Sequence, residues 1–394
     1  MSDIDTKSAP NSEKIKVLVV CRWPVGGIRT YLHYNYRYFS PEEFDVTLVA
    51  TRGKETEYTQ RDMESLGIKV VWVDTIFGLN AMPLKVAGQL MGNKFDLIHS
   101  QGFISGFFAG LANMLFRTSH VLTIHGILEP EYFEGRLEKL KRFVFRKVLR
   151  SVSVFHSVSR DMLVHVQEQF PSLKASKAEW EVIHNGIAPE PFRNLPSDVG
   201  PKLKEGLGLD PNTFVFGFFG RLIMQKGFNY VIDAVDRLRR DSEFEGKFKI
   251  LILSSGDFVR EYKIDVDRKD LNDYFLFQPS QPSIHHIIGG CDAVLMPSNW
   301  EAWGLLANEA HCAGVPLIAS TCIGLREAIE DTPTLKVPPA DVDALQAAMK
   351  KVMTDPSVKK AHVEFAPKAA ERFDVKHSAA KLMDLFRRIG KRRL

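Results

Sequence analysis

The amino-acid sequence predicts an α/β protein of two domains, each built on a parallel β-sheet with helices on both faces. Short apolar segments alternate with helical ones, as in Ile15–Cys21 followed by 28–39. Such apolar strands between helices are typical of parallel sheets that are buried on both sides. The alternation stops at 188–201, which contains four prolines, and starts again at Phe214–Phe219. The 394 residues also suit two domains, at roughly 100–200 residues per domain.

The first half contains six predicted buried strands, most of them followed by a helix. These strands are Ile15–Cys21, Asp45–Ala50, Lys69–Val73, Asp96–His99, Val121–His125 and Val152–Val158. Residues 1–13 are polar and lack the apolar core of a signal peptide, so we expect a disordered leader there. The N-terminal domain is predicted at 14–190 and a linker at 191–204.

The second half repeats the same alternation. Its predicted strands are Phe214–Phe219, Lys249–Leu253, Tyr274–Phe277, Ala293–Met296 and Pro316–Ala319. Helices are expected at 228–239, 309–313 and 344–353, where apolar residues recur at helical spacing. The second domain is therefore predicted at 205–375. A last helix at about 378–389, with a basic tail, is expected within 376–394.

Composition excludes several classes of protein. No apolar run approaches the ~20 residues that a membrane-spanning helix needs. The four cysteines show no disulfide or zinc spacing, and we expect buried, reduced thiols in a cytoplasmic protein. These residues are Cys21, Cys291, Cys312 and Cys322. Asp265-Val266-Asp267 lies in a charged stretch without a flanking buried strand, so we interpret it as solvated surface and predict no metal site.

Positive charge is concentrated in two segments, although the net charge is only +4. Residues 136–150 contain seven basic residues and one acidic residue, and 387–394 contain five basic residues and no acid. Leu137, Leu140 and Val144 give the first segment an apolar side at helical spacing. A solvated helix face and a surface that docks on anionic membrane both fit this pattern. Nucleic-acid binding is not expected, because no recognised binding module accompanies the basic residues.

The strongest chemical pattern follows the predicted strand Ala293–Met296. The next loop and helix place two carboxylates, Glu301 and Glu309, eight residues apart. Ligands of parallel α/β sheets bind at the carboxyl ends of the strands. Gly304 permits a close backbone approach, and the amides after it form a helix start that suits a diphosphate. The carboxylates can accept hydrogen bonds from the hydroxyl groups of a ribose or another sugar.

A second pattern, 220–227, joins the strand Phe214–Phe219 to the next predicted helix. It places Arg221 and Lys226 five residues apart. Two cations near a helix start can neutralise a diphosphate without a metal ion. This pattern is weak alone, but it becomes informative beside the acidic motif of the same half.

Together, these motifs resemble those of the retaining glycosyltransferases of family 4, the group 1 glycosyltransferases with the GT-B fold. The resemblance extends over nearly the whole chain and includes shorter motifs in both halves. These are Gly26-Gly27, Ser157-Val158-Ser159, 183–187 (IHNGI) and 314–320 (GVPLIAS). It implies two Rossmann-like domains that face each other across a cleft, with the last helix crossing back to the N-terminal domain. It also implies retaining, metal-independent transfer from a nucleotide-diphosphate sugar, UDP- or GDP-linked, with no other cofactor.

The resemblance also implies roles for individual residues. Arg221 and Lys226 would bind the diphosphate and stabilise it as the leaving group. Glu301 would orient the transferred sugar, and Glu309 would hold the nucleotide ribose. The phosphates would be assisted by backbone amides around Gly304, Leu305 and Leu306.

In the N-terminal domain, Gly26 and Gly27 would let the first loop approach the phosphates, and His125 would lie beside the sugar. The acceptor, a glycan, a glycolipid or a small molecule, would bind mainly to this domain. If the last helix returns there, segments 136–150 and 387–394 share one side of the molecule. That arrangement would suit a lipid-linked acceptor and a peripheral position on the inner face of a membrane.

The sequence departs from the family pattern at several positions that bear on the nucleotide base and the sugar. Ala188 stands where an acidic residue is usual, and Ile323-Gly324 stands where a pair of glycines is common. Residues 331–337 replace a glycine-bearing stretch, and 254–257 form an unusual strand-end loop.

Two other functions are compatible with a two-domain α/β chain of this kind. An NAD-linked oxidoreductase needs GxGxxG after the first strand and an acid at the end of the second. The chain has RWPVGG at 22–27 and Val49-Ala50-Thr51, which excludes that motif. A non-catalytic nucleotide-sugar-binding subunit remains the alternative to the enzyme, and the complete set of Arg221, Lys226, Glu301 and Glu309 argues against it.

Overall fold

The computed structural model describes residues 13–53, 56–76, 79–128, 132–254, 258–279, 281 and 283–390. The predicted leader lies outside the described residues apart from Glu13, and so do 391–394 of the basic C-terminal segment. The statements below concern the described residues.

The first half alternates strands and helices as predicted. Its strands are β1 Ile15–Cys21, β2 Phe44–Thr51, β3 Lys69–Val73, β4 Thr75–Ile76, β5 Leu79–Asn80, β6 Leu97–Gln101, β7 Ser119–Ile124, β8 Val154–Ser157 and β9 Glu179–Val182. Its helices are α1 Gly27–Tyr36, α2 Thr56–Ser65, α3 Met82–Gly92, α4 Gly102–Asn113, α5 Glu138–Leu149, α6 Arg160–Gln169 and α7 Pro171–Lys174.

The second half begins with two short helices and then alternates in the same way. Its strands are β10 Phe214–Phe219, β11 Phe248–Ser254, β12 Phe275–Pro279, β13 Ala293–Met296, β14 Leu317–Ser320 and β15 Leu335–Val337. Its helices are α8 Glu190–Arg193, α9 Val199–Gly206, α10 Phe228–Leu238, α11 Val259–Arg268, α12 His285–Gly290, α13 Leu305–Cys312, α14 Leu325–Ala328, α15 Val342–Thr354, α16 Pro356–Arg372 and α17 Val375–Gly390. Single 3₁₀ turns lie at Met224–Lys226 and Asn272–Tyr274.

Each half is built on one all-parallel sheet, which confirms the predicted fold class, and β4 and β5 of the first half form a separate two-stranded antiparallel sheet. In the described residues, the first sheet has the strand order β3-β2-β1-β6-β7-β8-β9 and the second the order β12-β11-β10-β13-β14-β15. The strand order reverses beside β1 in the first sheet and beside β10 in the second. Ligands of such sheets bind at this switch point, outside the carboxyl ends of the strands. The loops after β10 and β13 are therefore adjacent, because these two strands are paired.

The buried strands follow from their composition. Val17 to Cys21 are each at most 1% exposed, and helices cover both faces of the sheet. Val19 packs with α1, whereas Val20 packs with α3 and α4. Successive residues of a strand point to opposite faces, so an uninterrupted apolar run fits a sheet that is covered on both sides.

The predicted linker 191–204 contains parts of two helices, α8 and α9. Its prolines do not prevent this, since Pro191 lies in the first turn of α8, where a missing backbone N–H is tolerated. Pro201 lies near the start of α9 for the same reason. Helix α9 packs against α12 of the second half.

Helix α17 packs against the first half of the chain. Leu382, Phe386 and Ile389 belong to the same apolar cluster as Val17, Val19 and Val121. The Ser378 hydroxyl donates to Asn35 Oδ1 at 2.9 Å, within the interior. The last described helix therefore completes the core of the N-terminal sheet.

Helix α5 and the described end of α17 lie on opposite faces of this sheet, which contradicts the expectation that the two basic segments share one side of the molecule. Residues 391–394 lie outside the described residues. Helix α5 packs on Leu122 and Phe155, whereas α17 packs on Val121 and Val154. Adjacent residues of a strand point to opposite faces.

The described part of the C-terminal basic segment is also largely neutralised. Arg387 binds both oxygens of Glu43, at 2.6 and 2.7 Å. Arg388 pairs with Glu179 and Glu181. None of the described helices combines the length and the apolar character needed to span a bilayer.

Candidate active site

The two motifs of the second half meet at the switch point of its sheet. The loop after β10 and the loop after β13 are joined by several hydrogen bonds. The backbone N–H of Asn299 donates to Gln225 O at 2.8 Å, and Asn299 Nδ2 donates to Met224 O at 2.9 Å. The Gln225 side chain in turn donates to Trp300 O at 2.9 Å. The two loops therefore form one surface, as strand-end positions predict.

Gly227 makes this close approach possible. Its backbone has φ +68, and a Cβ at this position would lie 2.1 Å from Pro297 O in the neighbouring loop. Left-handed φ is readily adopted by glycine and costs other residues energy. The glycine of the second motif therefore brings the cationic loop against the acidic one.

Lys226 and Glu301 contact each other directly. Lys226 Nζ donates to Glu301 Oε1 at 2.7 Å, and Ser298 Oγ donates to the same oxygen at 2.8 Å. Glu301 is 6% exposed, so its charge is held in a largely dry environment by these two donors. A buried carboxylate requires such partners, because an unpaired buried charge is costly.

Arg221 is the uncommitted cation of this surface. It follows Gly220 at the end of β10 and is exposed. Within the described residues, its guanidinium has no ion-pair partner. Because it lies on the same loop as Lys226, a second positive charge is available near the Lys226–Glu301 pair.

Helix α13 begins directly behind this pair. Its N-terminal flanking residue is Gly304, with φ +96, where a Cβ would lie 2.7 Å from the Leu325 side chain. Leu305 and Leu306 are the first residues of the helix, so their backbone amides belong to its unpaired N-terminal turn. This helix start forms the anion-attracting end that the sequence predicts.

Glu309 lies one turn further along α13. Burial raises the pKa of its carboxyl to about 7. Within the described residues, no side chain or backbone group donates a hydrogen bond to the oxygens of this carboxyl group. Tyr34 of α1 is near it: burial, and then the Glu309 charge, raise the pKa of the Tyr34 phenol. The residue is therefore a carboxyl without a partner at the boundary between the two halves.

The first half supplies a facing edge. Gly26, with φ +53, and Gly27 precede and begin α1, and a Cβ at either would meet none of the described atoms within 4 Å. This leaves open space at the carboxyl end of β1. Both glycines lie at the same edge of the sheet as His125, since parallel strands end together.

His125 lies beside the acidic loop of the other half. It follows β7, and a Cβ at its neighbour Gly126 would lie 3.3 Å from the Trp300 ring, which precedes Glu301. His125 Nε2 is 2.7 Å from Gln101 Oε1, and its ring contacts the Tyr31 ring edge-on with centroids 4.7 Å apart. Burial, and then His156, lower the pKa of His125 to about 3, so the imidazole is neutral at physiological pH.

Several residues that shape this site were not predicted. Ser298 supports Glu301, and the Ser320 hydroxyl donates to the Ser298 carbonyl. Gly324, with φ +79, allows the loop to pass over Glu301 O, which would lie 2.0 Å from a Cβ there. The glycine was noticed in the sequence only as the second residue of an altered glycine pair. The serines lie within the sequence motifs but give no pattern that separates them from ordinary loop residues.

The two halves are tied together behind the site. Arg326 of the second half binds Asp161 of the first through two hydrogen bonds, at 2.6 and 2.7 Å. Glu327 accepts from the Arg160 backbone at 2.7 Å and lies 2.6 Å from His184 Nε2. These contacts hold one edge of the interdomain cleft closed.

Comparison with known proteins agrees with this architecture. The sequence profile of the family described as Glycosyl transferases group 1 matches residues 200–372, and that of Glycosyltransferase Family 4 matches residues 25–191. The two matches together span most of the chain. The fold and the strand-end site define a glycosyltransferase of the GT-B architecture. The chain belongs to the group 1, family 4-like glycosyltransferases.

Curated relatives and solved structures fall in the same class. The D-inositol 3-phosphate glycosyltransferase of Corynebacterium urealyticum is 28% identical over 308 residues, which cover 75% of this chain and 72% of the relative. The UDP-Gal:alpha-D-GlcNAc-diphosphoundecaprenol alpha-1,3-galactosyltransferase of Escherichia coli is 24% identical over 326 residues, 79% of this chain and 80% of the relative.

Among solved structures, Anabaena Alr3699/HepE in complex with UDP and glucose is similar with a TM-score of 0.79 and 21% identity, covering 94% of this chain and 99% of the other. WaaG, a glycosyltransferase involved in lipopolysaccharide biosynthesis, has a TM-score of 0.72 and 14% identity, with coverage of 94% and 99%. At these identities, the structures show the shared fold.

Proposed function

We propose that this glycosyltransferase moves a hexosyl group from a UDP- or GDP-sugar to an acceptor held by the N-terminal half, with retention of anomeric configuration and without a metal ion or other cofactor. The observation that carries the proposal is the Lys226–Glu301 pair, 2.7 Å apart, beside Arg221 and the start of α13. A nucleotide diphosphate needs positive charge for its phosphates and acceptors for its sugar hydroxyl groups. This surface supplies both.

The proposed roles follow from the charges. Arg221, Lys226 and the amides after Gly304 would stabilise the diphosphate as negative charge develops on it. Glu309 would accept hydrogen bonds from the ribose, because its carboxyl has no partner among the described residues and adjoins the interdomain cleft. Two side-chain cations and a helix start could take the place of a divalent ion. Full activity in excess EDTA is the expected result, and activity restored only by added Mg²⁺ or Mn²⁺ would contradict metal independence.

The nearby side chains bear on how a retaining transfer would proceed, because a covalent glycosyl-enzyme intermediate needs a nucleophilic side chain. Glu301 Oε1 already accepts from Lys226 and Ser298, so it is poorly suited to attack the sugar. We propose that the bond between the anomeric carbon and the phosphate oxygen breaks as the acceptor oxygen bonds on the same face. The departing phosphate oxygen then takes the acceptor proton. An NMR time course should show the product first in the anomeric configuration of the donor, whereas the opposite anomer would refute retention.

The nucleotide can be identified directly. In a thermal-shift panel of UDP, GDP, ADP and dTDP, one nucleotide should raise the unfolding temperature more than the others. The reason is that stabilisation grows as RT ln(1 + [L]/Kd), so the nucleotide that binds most tightly gives the largest shift. The solved relative Alr3699/HepE was crystallised with UDP, which makes UDP the first candidate. Equal or absent shifts with all four would contradict a nucleotide-sugar donor.

A surface on α5 supports a lipid-linked acceptor at an anionic membrane. Three apolar side chains here are more than half exposed: Leu137 at 58%, Leu140 at 53% and Phe143 at 56%. Basic residues surround them on the same helix, from Lys139 to Lys147. Exposed apolar groups within a basic helix face suit the interface of an anionic bilayer. The proposal now rests on this helix alone, because Arg387 and Arg388 lie on the opposite face and are paired.

Vesicle co-sedimentation tests this surface. The chain should bind vesicles of phosphatidylcholine with phosphatidylserine, and bind pure phosphatidylcholine weakly. Leu140→Ser with Phe143→Ser should reduce binding at least tenfold, since each removes buried apolar area at the interface. Leu84→Ser, an exposed leucine on α3, is the matched control and should bind as the wild type does. Equal binding to both kinds of vesicle would refute an electrostatic contribution.

A further inference from the structure

A cavity lies between the two halves, and neither Lys226 nor Glu301 belongs to its wall. Its volume is about 790 Å³, within the range of small-molecule sites, which is about 300–1,000 Å³. The start of α6, the segment after β9, the end of β15, and helices α14 and α17 contribute to its wall. The wall therefore includes residues of both halves.

Two buried polar side chains of this wall lack partners. Trp303 is 4% exposed and Asn185 is 7% exposed. Within the described residues, Trp303 Nε1 and Asn185 Oδ1 have no hydrogen-bond partner. Buried polar groups in folded proteins are normally paired, and an unpaired one requires an explanation such as a ligand. One atom is a donor and the other an acceptor, which suits a molecule with hydroxyl groups.

The Trp303 ring adds a flat apolar surface. It stacks on the His184 ring with centroids 4.4 Å apart and an interplanar angle of 14°. Phe373 also belongs to the wall. Aromatic faces beside polar groups favour a ligand that has both C–H and O–H surfaces, as a sugar ring does.

The cavity wall has uncompensated positive charge. Two of its four acids are paired with a lysine or an arginine: Asp161 with Arg326, and Asp374 with Lys376 at 3.0 Å. Glu327 contacts His184 and the Arg160 backbone N–H instead. Glu330 is the fourth acid, and its carbonyl accepts from Arg372 at 2.9 Å.

The cations are less satisfied than the acids. The side chains of Arg160, Lys336 and Lys381 line the cavity and, in the described part of the chain, have no ion-pair partner. With Arg372, they give four positive groups against the two carboxylates of Glu327 and Glu330. This excess predicts an anionic ligand, and phosphate is the anion for which arginine and lysine are well suited.

We infer that this cavity is a second ligand site, which binds a phosphorylated sugar across the two halves of the molecule. The cations would hold the phosphate group, while Trp303 and Asn185 would face the sugar. Trp303 lies in the loop between Glu301 and Gly304, so this site adjoins the proposed donor-binding loop without sharing Glu301 or Lys226. The site goes beyond the proposed function and does not depend on it.

Calorimetric titration of the full chain with glucose 6-phosphate tests the inference, in the absence of UDP and again with UDP in excess. We expect binding in both conditions with similar affinity, because the two sites are separate. Inorganic phosphate should bind at least tenfold more weakly, since it lacks the sugar. Displacement of glucose 6-phosphate by UDP would show that the sugar phosphate binds in the donor site, and this result would overturn the inference. Equal affinity for glucose 6-phosphate and inorganic phosphate would also overturn it.

Paired variants locate the ligand. The double variant Lys336→Ala with Lys381→Ala should lower the affinity for glucose 6-phosphate at least tenfold, because each lysine removed takes away a charge-assisted contact. Its affinity for UDP should be unchanged. Lys351→Ala with Lys359→Ala removes two exposed lysines outside the cavity and should bind as the wild type does. Equal affinity in both double variants would refute the site. If UDP alone failed to bind, the proposed donor would be wrong, while the titration without UDP would still decide this inference.

Discussion

At the scale of single residues, the two cations of the loop after β10 differ in what they contact. Lys226 neutralises a buried carboxylate in the absence of ligand, whereas Arg221 is exposed and uncommitted. The two cations should therefore differ when they are removed, although both are proposed to bind the diphosphate. Loss of Lys226 also leaves Glu301 with one donor in a largely dry environment.

Arg221→Ala should lower kcat by about 10²-fold with little change in Tm, by analogy with the loss of one preorganised charge-stabilising donor. Lys226→Ala should lower kcat at least as much and also lower the Tm, because it unpairs Glu301. Steady-state kinetics and thermal unfolding measure both. The matched controls are Arg240→Ala at the far end of α10 and Lys247→Ala before β11, which should have near-normal kcat. Normal turnover in both site variants would reject the assigned roles.

Glu309 predicts a pH dependence of nucleotide binding. Its raised pKa, about 7, means that the carboxylate forms only above that pH. If the carboxylate accepts from the ribose, affinity should rise about tenfold between pH 6 and pH 8, following the ionised fraction. Calorimetric titrations with UDP at several pH values measure this. The affinity of Glu309→Gln should rise less steeply than that of the wild type, because the terminal phosphate of UDP, but not this side chain, still titrates in that range. A wild-type affinity that falls as pH rises would contradict the proposed contact.

At the scale of elements, the site depends on two loops that touch through a glycine. Gly227 has φ +68 and would place a Cβ 2.1 Å from Pro297 O. Gly246 has nearly the same backbone, φ +70, but a Cβ there would meet none of the described atoms within 4 Å. Alanine substitutions at these two glycines therefore distinguish two effects. Both change the backbone conformation, but only the one at Gly227 also forces the two loops apart.

Gly246→Ala should destabilise the fold by roughly 1–2 kcal/mol, the cost of a left-handed alanine. Gly227→Ala is destabilised by the same backbone conformation and must also push the two loops apart. This variant should therefore be clearly less stable than Gly246→Ala and lose most of its activity. Urea unfolding together with kcat measurements compares them. Equal unfolding midpoints and equal activity would show that the contact between the loops is unimportant.

Regular strands and helices were predictable because their apolar patterns are strong. Ile15–Cys21 and the start of α10 were predicted with the bounds that the structure shows. Strand β9 was missed, because Glu179–Val182 is an edge strand with alternating polar residues and only partial burial. Strand β15 was missed, because its three residues follow a segment without apolar periodicity.

The candidate site was predictable in its chemistry but not in its pairing. The motifs placed Lys226 and Glu301 at strand ends, and the strand order then brings those ends together. That they form an ion pair depends on side-chain geometry, which spacing does not specify. The proximity of Tyr34 to Glu309 could not be predicted either, because it depends on how α1 and α13 are placed relative to each other.

At the scale of the whole molecule, a buried polar network crosses the N-terminal sheet. Tyr36 OH lies 2.6 Å from His99 Nδ1, His99 Nε2 lies 2.6 Å from Thr123 Oγ1, and Thr123 Oγ1 lies 2.9 Å from His156 Nδ1. Gln101 connects this network to His125 of the candidate site. A nearby histidine, His120, pairs with Ser100 at 2.7 Å.

These histidines predict a loss of stability in acid. Burial lowers the pKa of His120 to about 3 and that of His156 to about 4, and it lowers the pKa of His99 as well. The folded state therefore keeps them neutral, while the unfolded chain takes up protons below about pH 6.5. The stability is complete above that pH and falls as the pH drops towards 4, by up to about 1.4 kcal/mol per pH unit for each histidine.

Urea unfolding at pH 7.5, 6.0 and 5.0 should show this decline. His156→Gln should make the decline less steep, by up to about 1.4 kcal/mol per pH unit, the contribution of one histidine, although it also lowers the stability at pH 7.5. His286→Gln, an exposed histidine, is the control and should leave the slope unchanged. A wild-type stability that is constant down to pH 5.0 would contradict neutral burial.

The return of α17 to the first half has a consequence for synthesis on the ribosome. One face of the N-terminal sheet is covered by Leu382, Leu385, Phe386 and Ile389, which are synthesised only after the strands of the second sheet. Domains usually fold in the order in which they emerge. Here the first half must wait with part of its apolar surface uncovered until the second half has been translated. A nascent chain of this protein should therefore need protection by chaperones until α17 has been synthesised.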